Sequence, residues 1–354
     1  MSIRTVIIPA AGKGTRLMPA TKMTPKELLP VYDRIAIDFA LEEAAGAGVE
    51  RIVVVISAAK EAIRTYLDLH AEAAAFSDPR TSERKSKPEI CFVTQKKTLG
   101  LGHAVLCCQQ VVLPGPFAVL LPDDIISGPN CLEDMWMHYS GGHMIAAMQV
   151  EPHEASQYGI FIVNGPIKNR CIPVSGMVEK PAAGTAPSAH AAVGRYILDP
   201  TIFRELEHTP VGKGGELQLT DAIAASASTI PVTAFQFAGA RFDCGNHDGL
   251  LAASVARQAV MLGLTVQSAN EGLTSVEPNN VEPTSVEPTS VGQTDYRSGR
   301  DWQGGDRQES ASREGGGSMP PTTSGGNDVK MKAPDPTARL TARLSESRAY
   351  GVEP

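Results

Sequence analysis

The stretch AAGKGTRLMPATKMTPKELLP, residues 10–30, follows the short apolar run TVIIP and sets Gly12 and Gly14 among Lys13, Arg16, Lys22 and Lys26. Glycine lets the main chain approach an anion closely and aim its N–H groups at it, while lysine and arginine add charge. A strand, a glycine loop and a cationic segment in that order suit a phosphate. The loop does not supply the GxxxxGK[ST] spacing of a Walker loop, and Leu17 stands where a dinucleotide fingerprint needs its third glycine. Several cations match a triphosphate better than a lone pyrophosphate, and Pro19, Pro25 and Pro30 stiffen the ribbon that carries them. Acids that could hold a cation follow the apolar strand FAVLL in LPDDII. Along an extended chain neighbouring side chains point to opposite faces, so one of Asp123 and Asp124 meets a ligand. LTDAI reads as a helix start capped by Thr220 or Asp221. No histidine lies beside a Ser or Cys in a recognisable nucleophile motif, and His103 reads as structural.

These residues need a frame, and the hydrophobic pattern provides one. TVIIP (5–9), RIVVVIS (51–57), EICFVT (89–94) and FAVLL (117–121) read as strands. Between them AIDFALEEAAGAG (36–48), KEAIRTYLDLH (60–70) and GHAVLCCQQVV (102–112) read as helices. Apolar strands alternating with amphipathic helices predict a mostly parallel sheet covered on both faces, with ligands beyond the carboxyl ends of its strands. From about residue 144 the texture predicts further strands, some antiparallel, building a second lobe of the same domain. Within it residues 182–192 read as a mobile loop, 216–228 as a helix, VTAFQFA (232–238) as a strand and 248–264 as a closing helix. After about residue 265 the chain turns to VEPTS-type repeats and Gly, Ser, Pro and Thr, a composition that predicts a disordered tail over 265–354. The net charge of −7 removes the footprint of a general nucleic-acid binder. Six cysteines without CxxC or zinc-like spacing read as mostly buried thiols in a reducing compartment. No stretch approaches the roughly 18 apolar residues of a membrane span, so a cytoplasmic protein without membrane or nucleic-acid partners is expected.

The loop GKGTRLMPATKMTPKELLPV closely resembles the signature of the sugar nucleotidyltransferases, specifically the bacterial UTP-glucose-1-phosphate uridylyltransferases or UDP-glucose pyrophosphorylases. The likeness continues in order through QKKTLGLGHAV, FAVLLPDDII, YGIF, VEKP, GRYIL, GGELQLTDAI and FDCG, and covers roughly residues 3–262. It implies an α/β fold, a Rossmann-like mostly parallel mixed sheet flanked by helices, with a nucleotide part over about 1–143 and a smaller sugar-binding lobe over about 144–264. It also implies UTP and glucose 1-phosphate as substrates and a homo-oligomer, dimer or tetramer. Rival readings keep the fold with another base, such as a dTTP-dependent enzyme, or make the chain a non-catalytic nucleotide-sugar sensor.

The same resemblance assigns roles. Arg16, Lys26 and Lys180 are the catalytic cations. Ala10, Ala11, Gly12, Gly14, Thr15, Glu27, Gln95, Gly100 and Asp123 bind the nucleotide, Gln95 offering a donor and an acceptor to the imide edge of uracil. Gly159, Glu179, Lys180, Arg195 and Glu216 bind the sugar phosphate: a carboxylate accepts from vicinal hydroxyls and an ammonium holds phosphate as a point charge. Asp123 and Asp243 are the implied Mg²⁺ ligands. Two carboxylates about 4 Å apart repel by about 4 kcal/mol at an effective dielectric near 20, so such a pair calls for a divalent cation between them. After FDCG the chain has Asn246 and His247 where the family usually shows Ser and Lys, and Ile35 where it usually shows proline.

Overall fold

The computed structural model describes residues 3–74 and 87–263. The predicted tail at 265–354 lies outside the described residues. In chain order the strands are β1 (Thr5–Pro9), β2 (Pro30–Val31), β3 (Arg34–Ile35), β4 (Arg51–Ile56), β5 (Glu89–Thr94), β6 (Phe117–Leu120), β7 (Asp124–Ser127), β8 (His143–Gln149), β9 (Gly159–Val163), β10 (Cys171–Glu179), β11 (His190–Leu198), β12 (Val232–Gln236) and β13 (Ala240–Asp243). The helices are α1 (Ala36–Gly46), α2 (Glu61–Ala74), α3 (Leu101–Leu106), α4 (Cys131–His138), α5 (Ile202–His208), α6 (Leu219–Ser226) and α7 (His247–Met261).

Among the described residues nine strands form one sheet in the order β5-β4-β1-β6-β11-β8-β12-β10-β9. The four at the β5 end are parallel, as their near-continuous apolar runs predict. Alternation assigns their side chains to two faces. Ile7, Val53, Val55 and Val119 join one core with Val105, Phe203 and Ile223 of α3, α5 and α6. Val6, Ile8, Ile52 and Val54 join another with Ile37, Ile63 and Leu132 of α1, α2 and α4. Phe117 of β6 stacks on Phe203 of α5 with ring centroids 5.0 Å apart, and truncating such a buried ring costs about 3–5 kcal/mol.

Beyond β6 the sheet turns mixed. β11 lies antiparallel between β6 and β8, so the expected second lobe is a continuation of the same sheet. The predicted mobile loop is corrected at its end: His190, Ala191 and Ala192 pair with Gln149, Met148 and Ala147 of β8. Upstream, Ser188 donates from its hydroxyl to the Phe161 carbonyl at 2.7 Å. The helix predicted over 102–112 stops at Leu106, and the rest continues as turns.

A small layer completes the molecule. β7 and β13 form a two-stranded ribbon with Asp124 opposite Asp243. Helix α7 packs Ala253 and Ala256 against Ile125 and Phe242 of that ribbon and Val31 of β2. Asn246 caps α7 by accepting from the Gly249 N–H at 2.8 Å. No described helix is long and apolar enough to cross a membrane.

Candidate active site

A cleft of about 1090 Å³ opens beyond the carboxyl ends of β1 and β6 and runs along the middle of β11 to the end of β10. Its floor at one end is the glycine loop. Gly14 sits at φ +66°, a left-handed turn that only glycine makes without strain. Short 3-10 turns follow at Thr15–Leu17, Ala20–Lys22 and Lys26–Leu28; Arg16 and Lys26 on them line the cleft together with Lys13 before them. Leu17, fully buried, anchors the first turn. Lys22 is exposed and does not line the cleft. Ala11, Gly12 and Thr15 also line it, whereas Ala10 does not: its N–H is taken by the Val55 carbonyl at 2.7 Å and its side chain is buried.

The two acids arrive from different elements and meet. The Cys244 N–H donates to the Asp123 carbonyl at 2.7 Å, which joins the end of β13 to the turn before β7. Their carboxylates converge at Gly245, where an added Cβ would lie 2.8 Å from Asp243 Oδ1, 3.0 Å from Asp123 Oδ2 and 2.6 Å from an Arg16 nitrogen. A Cβ there would have to push the Arg16 guanidinium and the two carboxylates apart. Each acid carries a cation of the loop, Lys26 Nζ on Asp123 and Arg16 on Asp243 Oδ2 at 3.3 Å. Burial alone would push the Asp123 carboxyl up, but Lys26 and Arg16 beside it hold it below the usual carboxylate range. Burial likewise opposes charge on Lys26, yet Asp123 and Glu27 keep its ammonium above the ordinary lysine value. Two convergent carboxylate oxygens suit a hard divalent cation that takes its remaining ligands from phosphate and water. No third His, Cys, Asp or Glu joins them into a closed cage among the described residues.

Gln95 is buried at the β5 exit. Its amide nitrogen meets the Gly100 carbonyl at 3.2 Å and His103 Nδ1 at 2.9 Å, so His103 orients Gln95. Gly100 stands above it beside Glu216, and the Leu217 N–H donates to the Leu99 carbonyl at 2.7 Å, which ties these two cleft walls together.

At the far end Glu179 closes β10 and Lys180 follows at φ +45°. That left-handed residue breaks the alternation of the strand, so both side chains line the cleft, with Lys180 Nζ 3.0 Å from Glu179 Oε1. The Thr220 hydroxyl donates to Glu179 Oε2 at 3.0 Å. Thr220 therefore orients the acid and does not cap α6, whose N-cap position belongs to Gln218. An added Cβ on Gly159 would sit 3.2 Å from Glu179 Oε2.

Besides Ala10, two residues expected in the site are not in it. Arg195 is buried under the sheet and holds Glu43 with both Nε and one terminal nitrogen at 2.8–3.0 Å. Alternation along β11 turns it away from the cleft that Gly194 and Tyr196 line. Glu27 is buried beneath the loop and accepts from Lys60 Nζ at 2.6 Å. Burial pushes its carboxyl up and the Lys60 ammonium down. Neither partner could be read from local spacing, since Glu43 lies 152 residues from Arg195 and Lys60 lies 33 from Glu27. Sequence reasoning also passed over Tyr158 and Arg241, which both line the cleft.

Comparison with known proteins matches this picture. The sequence pattern of the nucleotidyl transferase family fits residues 5–259. UTP–glucose-1-phosphate uridylyltransferase 1 of Staphylococcus saprophyticus is 40% identical over 266 residues, covering 72% of this chain and 92% of its own length. A Bacillus subtilis protein of the same name is 40% identical over 267 residues, 70% of this chain and 89% of its own. Among solved structures, a UDP-glucose pyrophosphorylase complexed with UDP-glucose aligns at a TM-score of 0.66 and 37% identity over 73% of this chain and 99% of that one. A UTP-bound UGPase from Acinetobacter baumannii aligns at a TM-score of 0.63 and 35% identity over 78% of this chain and 100% of that one.

Proposed function

The chain belongs to the nucleotidyl transferase family, and on that premise we propose that it joins UTP to glucose 1-phosphate, giving UDP-glucose and pyrophosphate. The observation that carries the reading is convergence. Three cations of the opening loop, two carboxylates meeting at Gly245 and the Glu179–Lys180 pair face one cleft from segments scattered between residues 13 and 243. In this reading an oxygen of the sugar phosphate attacks the α-phosphorus of UTP. A bond from that oxygen to phosphorus forms as the bond to the pyrophosphate oxygen breaks on the opposite side. The nucleophile is already an anion, so no side chain has to remove a proton. The chain's task is to press two polyanions together in line and to balance charge as it shifts to the leaving group.

Lys13, Arg16 and Lys26 hold the triphosphate and the departing pyrophosphate. Gln95 keeps its amide nitrogen on Gly100 and His103 and offers its carbonyl oxygen to the base. Lys180 holds the sugar phosphate, and Glu179, fixed by Thr220, accepts from sugar hydroxyls. Asp123 and Asp243 would hold Mg²⁺, which when bound offsets phosphate charge and draws the two substrates together. The deciding measurement is pyrophosphate release with each nucleoside triphosphate and each hexose 1-phosphate. Preference for UTP with glucose 1-phosphate is expected. Preference for dTTP would move the chain to another specificity, and tight UDP-glucose binding without turnover would make it a sensor.

A further inference from the structure

We infer that Arg241 is a positioning residue that fixes the distance between the metal-holding acids and the sugar-phosphate lysine; the inference rests on the function proposed above. Three segments meet at its guanidinium. Nε donates to Asp124 Oδ1 at 2.7 Å, a second nitrogen pairs with the same oxygen, and a third donates to the Tyr158 hydroxyl at 3.2 Å. The guanidinium carbon also stands 5.4 Å from the centroid of the Tyr158 ring, within cation–π range.

Each partner leads to the chemistry. Asp124 adjoins Asp123, and its other oxygen accepts from the Gly194 N–H at 2.7 Å, so its direction is fixed on both sides. Arg241 shares β13 with Asp243, which lies opposite Asp124 in the ribbon. Tyr158 precedes Gly159, and its carbonyl accepts from the Lys180 N–H at 3.0 Å. A continuous path of hydrogen bonds therefore runs from the backbone of Lys180 through Tyr158 and Arg241 to the strand ends that carry both acids.

The chemistry of the group suits this work. A guanidinium is always charged, and this one is ion-paired with Asp124. Its planar fork spreads donors over two partners in fixed directions, which a lysine cannot do. A buried ion pair is a weak source of stability compared with apolar packing. Placed at the wall of the cleft, this one fixes geometry. In-line transfer is sensitive to such geometry, because reacting atoms must be held about 3–3.5 Å apart and a 1 Å misplacement can cost about 100-fold in rate.

The test is steady-state kinetics of the full chain with UTP, glucose 1-phosphate and Mg²⁺, comparing wild type with Arg241→Met, Tyr158→Phe and the Tyr158→Phe/Arg241→Met double variant. Arg241→Met should lower kcat about 100-fold while the KM for UTP stays within about twofold. Tyr158→Phe, which removes one oxygen, should lower kcat about tenfold, and the double variant should be no slower than Arg241→Met alone because both break one path. A residue that only stabilises the fold would lower the melting temperature and leave kcat of the folded enzyme unchanged. Defects that multiply in the double variant would overturn the inference, and so would wild-type-like kcat in Tyr158→Phe, a result that decides even if the Arg241→Met proteins did not fold. Wild type without turnover would instead remove the proposed function, and this inference with it.

Discussion

At the scale of single residues, the cations and acids divide into groups that face the cleft and groups that hold the fold. Removing Asp123 or Lys180 by alanine substitution should lower turnover about 100-fold or more, the size seen when one charge-stabilising group is lost. Pyrophosphate release measures it, and a cooperative circular dichroism melt shows that the fold survives. Arg195 should behave in the opposite way. Its pair with Glu43 is buried on both sides, and breaking such a pair costs about 3–5 kcal/mol by leaving a stranded charge. Urea unfolding of Arg195→Ala should show that loss, and an unaltered midpoint would refute the structural role. The loop of residues 10–30 was legible because glycine and lysine carry their chemistry locally. Arg195 and Glu27 were misassigned because the same charges serve equally well in a buried pair whose other member is remote in sequence.

At the scale of elements, burial sets a pH limit. His143 opens β8 fully buried, and its Nδ1 accepts from the Asp199 N–H at 3.2 Å, a bond only the neutral ring makes. Burial lowers its pKa from 6.5 to about 4. As pH falls the unfolded chain takes up the proton first, so stability that is whole above pH 6.5 drains away between 6.5 and 4. The loss approaches about 3 kcal/mol at full extent. Urea titrations at pH 7 and 4.5 should show it, and His143→Asn should flatten it; an equal slope in the variant would remove His143 as the cause. The parallel strands were readable as apolar runs, because burial on both faces erases alternation. The β7–β13 ribbon was not: its four-residue strands sit beside the motif acids, and what pairs them is a contact across more than a hundred residues. Thr220 was misjudged for a related reason, since a threonine in the first turn of a helix looks like a cap until its partner is known.

At the scale of the whole molecule, the family match ends at residue 259 and the described core clusters draw on residues 3–256. Cutting the chain after residue 269 should leave turnover and melting temperature unchanged; an inactive or unfolded product would make the tail part of the enzyme. The covered two-sided sheet was legible from the alternation of strands and helices. Its one-piece continuity was not, because no local pattern announces that residues 190–198 return to lie beside 117–120. That return governs how the chain can be made. While a ribosome is still adding residues short of 198, β6 keeps a bare edge of unpaired amides and carbonyls, an open template for a neighbouring chain. A fragment ending near residue 143 therefore contains every residue of the phosphate loop and still should clump on expression, and co-expressing it with the remaining segment should restore material that stays in solution.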